Sequence, residues 1–251
     1  MKNRLMEIKN FCQTHADEAR VQKYARYFVE GYDAYGVDSK IMEKQRNIWL
    51  QEYKKDLDFE GFLKLGDLLV ESGKYEEASY AIWFAASFKN EFTPETFKRL
   101  GRWLDNGFRN WAHTDIFCGE VLAHFITKGI ISFDALSDWR SADSKWKRRA
   151  VPVVLIKSLK TDIPISSLLA FISPMMLNSE KVVQQGLGWF LREAWKRYPA
   201  PTENFLLNWK DSCGRIIIRY ATEKMDADKR TLFKKSIKKQ ERRDKTASRI
   251  N

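Results

Sequence analysis

The sequence predicts an all-α protein of stacked antiparallel helix pairs, and three observations carry that expectation. Only 12 glycines and 6 prolines occur in 251 residues, which favours long regular elements over a turn-rich β architecture. Segments between these breakers show helical rather than alternating periodicity. Small residues recur every 36 positions, at Ala78, Thr114, Ala150, Gly186 and Thr222. That is the length of a helix pair in α-solenoids, where small residues let helices approach closely. A compact helical bundle is the competing architecture.

Taken in order, helices are expected over about 4–14, 18–31, 39–54, 59–72, 75–89, 94–107, 111–128, 132–140, 144–160, 164–172, 179–197, 202–212, 214–225 and 228–243. Thr93-Pro94-Glu95 combines an N-cap, a proline at the first helical position and an early acid. Ser39, Asp58, Ser144 and Ser179 are further expected N-caps. Pro152 falls inside the helix carrying Arg148 and should kink it. Ile216-Ile217-Ile218 is β-branched, but its charged surroundings favour helix. The expected division is a main domain over 1–225 and a basic helix or tail over 226–251.

Composition narrows the function. Hydrophobic residues at 44% and aromatics at 14% supply a real core. No stretch reaches the roughly 20 apolar residues that span a bilayer, and Met1 to Phe11 lacks a signal-peptide core. A cytoplasmic location is therefore expected, without membrane attachment. Cys12, Cys118 and Cys213 are odd in number and far apart, against a disulfide framework or a cysteine-rich zinc site. His113 and His124 would stand about 16 Å apart along a helix, too far to share an ion. The net charge of +11 suits a polyanionic partner. Residues 224–251 hold 11 basic and 4 acidic side chains, so +7 of that charge lies at the carboxy-terminal end.

Three segments carry candidate chemistry. In the first, Trp111 and Asp115 are four apart on one helical face that continues through Cys118 and Leu122. An aspartate in an apolar stripe is costly to bury unless it is paired or faces a cleft; otherwise it caps a loop or pairs with an arginine. In the second, Arg149 lies beside Trp146, Ala150 and Val153, while Arg148 points away as a solvated charge. A guanidinium on the packed side needs an anion, either a structural carboxylate or a phosphate. In the third, Gly186 and Gly188 precede Trp189, Arg192 and Glu193. Glycine there leaves the Trp189 indole open to a ligand, or else allows two helices to pack tightly around a core tryptophan.

Trp111-x-x-x-Asp115, Trp146-x-x-Arg149-Ala150 and Gly188-Trp189-x-Leu191-Arg192-Glu193 resemble, in order and spacing, the AlkD-type DNA alkylation-repair glycosylases. Ala25-Arg26-Tyr27 and Tyr35-Gly36-Val37 are similar to that family's amino-terminal helices and following turn, and the likeness runs over most of residues 20 to 225. The resemblance implies HEAT-like helical repeats forming a curved α-solenoid whose concave face cradles duplex DNA. It implies removal of cationic N3- and N7-alkylated purines, such as 3-methyladenine and 7-methylguanine, with the lesion left in or near the base stack. Asp115 matches the catalytic acid, and Trp111 and Trp189 the indoles that flank the deoxyribose. Arg149 matches an arginine that holds the backbone at the lesion, and Arg192 a further basic position. Tyr27 and Asp38 fall near the DNA, Asp38 where the best-known members carry glutamine. No metal or organic cofactor is implied, and a monomer is expected. A helical protein that only binds DNA, or one that scaffolds other proteins, are the competing readings.

Overall fold

A contiguous run of short-linked helices can bury its apolar stripes only against its neighbours, and the computed structural model, which describes residues 1–236, shows that solution. The helix expected over 228–243 is corrected: it stops at Thr231, and residues 232–236 are turn and irregular chain, while 237–251, with the end of the basic tail, lie outside the described residues. Among the described residues there are 14 α-helices and no strand. The chain divides into two compact units, Met1–Asp162 and Ile163–Asn251.

The first unit contains α1 (Lys2–Thr14), α2 (Glu18–Ala25), α3 (Ser39–Tyr53), α4 (Phe59–Glu71), α5 (Tyr75–Ala86), α6 (Pro94–Gly101), α7 (Trp111–Phe117), α8 (Ala123–Thr127) and α9 (Lys145–Ser158). α4 and α5 form a hairpin across a turn in which Gly73 takes φ 77°. α5 packs on α7, and α7 on α9. Phe62, Leu65, Tyr80, Phe84, Leu100, Phe117 and Leu155 fill the core between them. A π-helical turn, Cys118–Leu122, joins α7 to α8, and another, Trp103–Gly107, follows α6. The segment expected as a helix over 132–140 forms two 3₁₀ turns instead, Phe133–Leu136 and Asp138–Ser141.

The second unit contains α10 (Ile165–Ile172), α11 (Lys181–Arg197), α12 (Pro199–Trp209), α13 (Arg215–Ala221) and α14 (Ala227–Thr231). α11 and α13 make its tightest pairing: a Cβ on Gly188 would run into the Cβ of Tyr220 and the carbonyl of Ile217. Gly188 therefore serves close packing, and Ile216-Ile217-Ile218 is helical as expected. The five small residues at 36-residue intervals are all buried, on α5, α7, α9 and α11 and at the C-cap of α13.

Local signals set most boundaries. Asp58, Thr93 and Ser144 cap α4, α6 and α9, accepting from the backbone N–H of Gly61, Thr96 and Lys147. Two expected caps are corrected. Asp38 rather than Ser39 caps α3, accepting from the Lys40 N–H at 2.9 Å, and Ser179 is displaced by Glu180 at the start of α11. α2 stops at Ala25, short of the expected residue 31, and the chain crosses to α3 through an irregular segment.

That segment is pinned by one buried carboxylate. Glu76, 1% exposed on α5, accepts the backbone N–H groups of Tyr35, Gly36 and Val37 at 2.9, 2.7 and 3.1 Å. Gly36 has φ 83°, and a Cβ there would overlap the Asp17 carbonyl oxygen. Gly36→Ala is expected to destabilise the chain by on the order of 1–3 kcal/mol, read from the urea unfolding midpoint. Wild-type stability in that variant would mean the turn is not held as described.

Candidate active site

Asp115 stands on α7, one helical turn beyond Trp111 and just before the π-helical turn. Arg149 reaches it from α9: Nε donates to Oδ1 and Nη2 to Oδ2, both at 2.8 Å. A bidentate guanidinium–carboxylate pair of this kind fixes orientation as well as charge. The Arg149 side chain is 6% exposed and that of Asp115 14%, so the carboxylate is the end of the pair nearer solvent. Burial pushes the Asp115 carboxyl above its ordinary value, and the Arg149 charge opposes that rise. The Arg149 guanidinium, which does not lose its proton, favours the ionised form of Asp115 against that burial.

The surroundings are apolar. Cys118 lies fully buried beneath the pair, its Sγ directed at the Ala150 carbonyl at 3.8 Å. Burial and the Asp115 charge push its thiol well above the usual range, which leaves it a packing group and no nucleophile. His113, 2% exposed, contacts the Tyr75 carbonyl, Ser79 and Asn110, and burial lowers its pKa to about 4. His113 thus reads as a neutral brace between α7 and α5.

Trp111 is the open wall of the site, 38% exposed. Its indole N–H donates to the Tyr27 carbonyl at 3.1 Å, and one face stacks on Phe28, with centroids 5.7 Å apart and an interplanar angle of 17°. The segment carrying Tyr27 and Phe28 is tethered by Glu30 to Lys145 at 3.2 Å and by Asp33 to Lys74 at 2.5 Å. Trp111 also borders a cavity of about 600 Å³ walled largely by aromatic rings, among them Tyr24, Tyr27, Phe28, Tyr32, Tyr75 and Trp83.

The other residues singled out from sequence take several places. Tyr27 is 52% exposed, with Arg26 over its ring. Asp38 is occupied as a helix cap and pairs with Arg20 at 2.6 Å, both of which hold its carboxyl below the ordinary range. Trp189 stands half-buried on α11, in the second unit. Arg192 pairs with Glu193 at 3.1 Å and Glu223 at 2.8 Å, so its charge is already balanced within that unit. Arg148 is corrected: in place of a solvated charge it donates to the Ala142 and Asp143 carbonyls and ties down the loop before α9. Sequence reasoning missed Glu76 and Phe28. A carboxylate directed at backbone N–H groups leaves no pattern in the sequence, and neither does a ring arriving from 83 residues away.

Short-linked, packed helices holding a desolvated carboxylate beside an open indole, in a chain of charge +11, define an all-helical protein whose net charge attracts polyanions. The sequence model described as DNA alkylation repair enzyme matches residues 8–225, and the chain belongs to that family. No curated protein matches the chain. Among solved structures, a predicted DNA alkylation repair enzyme from Enterococcus faecalis superposes with TM-score 0.74 at 15% identity, over 85% of this chain and 98% of the other. The smu.31 protein of Streptococcus mutans UA159 gives 0.56 at 19% identity over 74% and 93%, and AlkD2 from Streptococcus mutans 0.56 at 20% over 88% and 100%. At these identities the likeness is one of fold, an AlkD-like α-solenoid.

Two outcomes test the site's energetics. Arg149→Ala leaves a buried carboxylate unpaired and is expected to cost about 3–5 kcal/mol, part of it recovered in the double variant with Asp115→Asn. Equal loss in single and double variants, measured by urea unfolding, would deny the coupling. For His113, an NMR titration should place the midpoint near 4. Its folded value lies below the unfolded value of 6.5, so the unfolded chain binds more protons between the two, and stability falls as pH drops through that window.

Proposed function

We propose that the chain is a DNA glycosylase that hydrolyses the N-glycosidic bond of cationic N3- and N7-alkylated purines in double-stranded DNA. The observation that carries this reading is the Asp115–Arg149 pair, its carboxylate end outward, one helical turn from the exposed Trp111 indole. Membership of the DNA alkylation repair family supports it.

The chemistry follows from charge. Alkylation leaves the purine cationic, so when the C1′–N bond breaks its electron pair returns to the ring and the base departs neutral. Positive charge moves to the sugar, and a water oxygen closes on C1′ while its proton passes to the carboxylate or to solvent. A fixed negative group beside the developing oxocarbenium ion lowers the barrier. Asp115 supplies it, and Arg149 acts as a positioning residue. Because Arg149 engages both carboxylate oxygens, it weakens Asp115 as a base and leaves electrostatic stabilisation as the main role. Trp111 is assigned to one side of the sugar, where an indole face adds roughly 0.5–2 kcal/mol of cation–π attraction, and the family resemblance gives the Trp189 indole the same kind of role. In this reading the lesion stays in or near the stack and is recognised through its charge and backbone, as the family resemblance implies.

The deciding experiment is release of 7-methylguanine from methylated duplex DNA. Asp115→Asn is expected to abolish release while duplex affinity stays within a few-fold; full activity in that variant refutes the assignment. No release by the wild-type chain, with duplex binding intact, would show a DNA binder without catalysis. Since catalysis needs the carboxylate ionised, single-turnover release should fall on acidification, with a midpoint above the ordinary aspartate value of 3.8. Phe28→Ala, which frees one face of Trp111, should slow release more than it weakens binding.

A further inference from the structure

Two groups stand out among the cations of the second unit. Arg192, Lys196, Lys210, Lys224 and Lys229 each pair with a carboxylate within the unit. Arg215, Arg219, Arg230 and Lys234 do not: among the described residues none of the four has an ion pair, yet all four line one cavity of about 350 Å³. Among the described residues no acidic side chain lines it. Its floor is Ile216, Ile218 and Phe233, with Thr222 beside them.

The backbone that carries these four side chains is fixed within the unit, and one of the four charged ends, that of Arg215, is itself tied to it. Arg215 and Arg219 lie four apart on α13, hence on one face. Arg230 is near the end of α14, and Lys234 is in the turn that follows. Arg215 Nη1 donates to the Phe233 carbonyl at 3.3 Å and Lys210 Nζ to the Lys234 carbonyl at 3.2 Å. Asp211 accepts the Ser236 N–H at 2.6 Å, and Phe233 is buried. The turn is thus fastened to the rest of the unit, and like charges are kept together without a carboxylate counterion among the described residues. Such an arrangement raises the folding free energy unless an anion fills it.

We propose that this cavity is a phosphate-binding site for the backbone of duplex DNA, separate in its residues from the Asp115 site. It rests on the reading that the chain binds DNA and not on the assignment of glycosylase chemistry. A duplex offers a charge every ~1.7 Å of its axis, so it can place phosphates at both cation pairs together. Arginine suits such contacts because its planar fork donates to two phosphate oxygens together. The site reads no base and adds affinity irrespective of sequence or damage.

The test is the salt dependence of affinity for an undamaged duplex, followed by fluorescence anisotropy for the full chain, for Arg219→Ala/Arg230→Ala, and for Lys2→Ala/Lys55→Ala, which removes equal charge from the first unit. Each phosphate contact contributes about 0.9 to the slope of log affinity against log salt, so the arginine double variant should lose about 2 and the lysine control nothing. Equal slopes in all three proteins, or an equal drop in both variants, overturns the site. An unchanged duplex slope together with lost binding to phosphatidylglycerol vesicles would overturn it in favour of a lipid surface. An arginine-specific drop in a chain that releases no base leaves this site standing and sinks only the catalytic reading.

Discussion

A carboxylate and a guanidinium removed from water together cost several kcal/mol each unless their geometry is close to ideal, and the arrangement of α7 and α9 makes it so. Asp115 and Arg149 lie 34 residues apart in sequence, and the helix carrying each is fixed by contacts of its own. α7 is fixed to α5 through His113, and α9 is capped by Ser144 and braced by Arg148. Ala150, with no accessible surface, lets the helices close to the distance that a two-bond contact requires. A larger residue there would separate the helices and leave both charges buried with half their partners.

The second constraint is the crossing from α2 to α3. It has no regular structure of its own, so its backbone polar groups need partners elsewhere. Glu76 supplies three of them from within α5, and the left-handed conformation of Gly36 turns the N–H groups toward it. The result reaches the site: the same crossing brings the Tyr27 carbonyl and the Phe28 ring onto Trp111. Trp111 is therefore exposed without being loose. Its orientation depends on a carboxylate that touches neither the indole nor Asp115.

How much of this was legible depends on the range of the interaction. Helix periodicity, the Thr93 and Ser144 caps and the small residues at 36-residue intervals are local or repeated, and they gave the architecture directly. Arg149 was identified as a packed guanidinium in need of an anion because its neighbours on α9 are apolar, and Asp115 as a carboxylate in an apolar stripe for the same reason. That these two needs answer one another is a contact between helices, which periodicity does not encode. Asp38 and Arg192 show the converse. Charge at a suggestive position proved to be spent on a helix cap and on two glutamates. The helices expected over 18–31 and 132–140 ended early or tightened into 3₁₀ turns where tertiary contacts with α5 and α9 outweigh propensity.

Distribution of charge explains more than its sum. Ion pairing leaves the net charge of +11 unchanged but decides where the unbalanced cations lie. Exposed pairs contribute little to stability and are screened by salt. The Asp115–Arg149 pair, shielded by Cys118, Ala150 and the helices around it, is screened far less. On the proposed reading, attraction of DNA and stabilisation of the sugar cation therefore rest on different electrostatics. The first acts through solvent, over a Debye length of about 8–10 Å, and weakens as ions accumulate. The second acts across a contact from which water is largely excluded, and its strength is set when the chain folds.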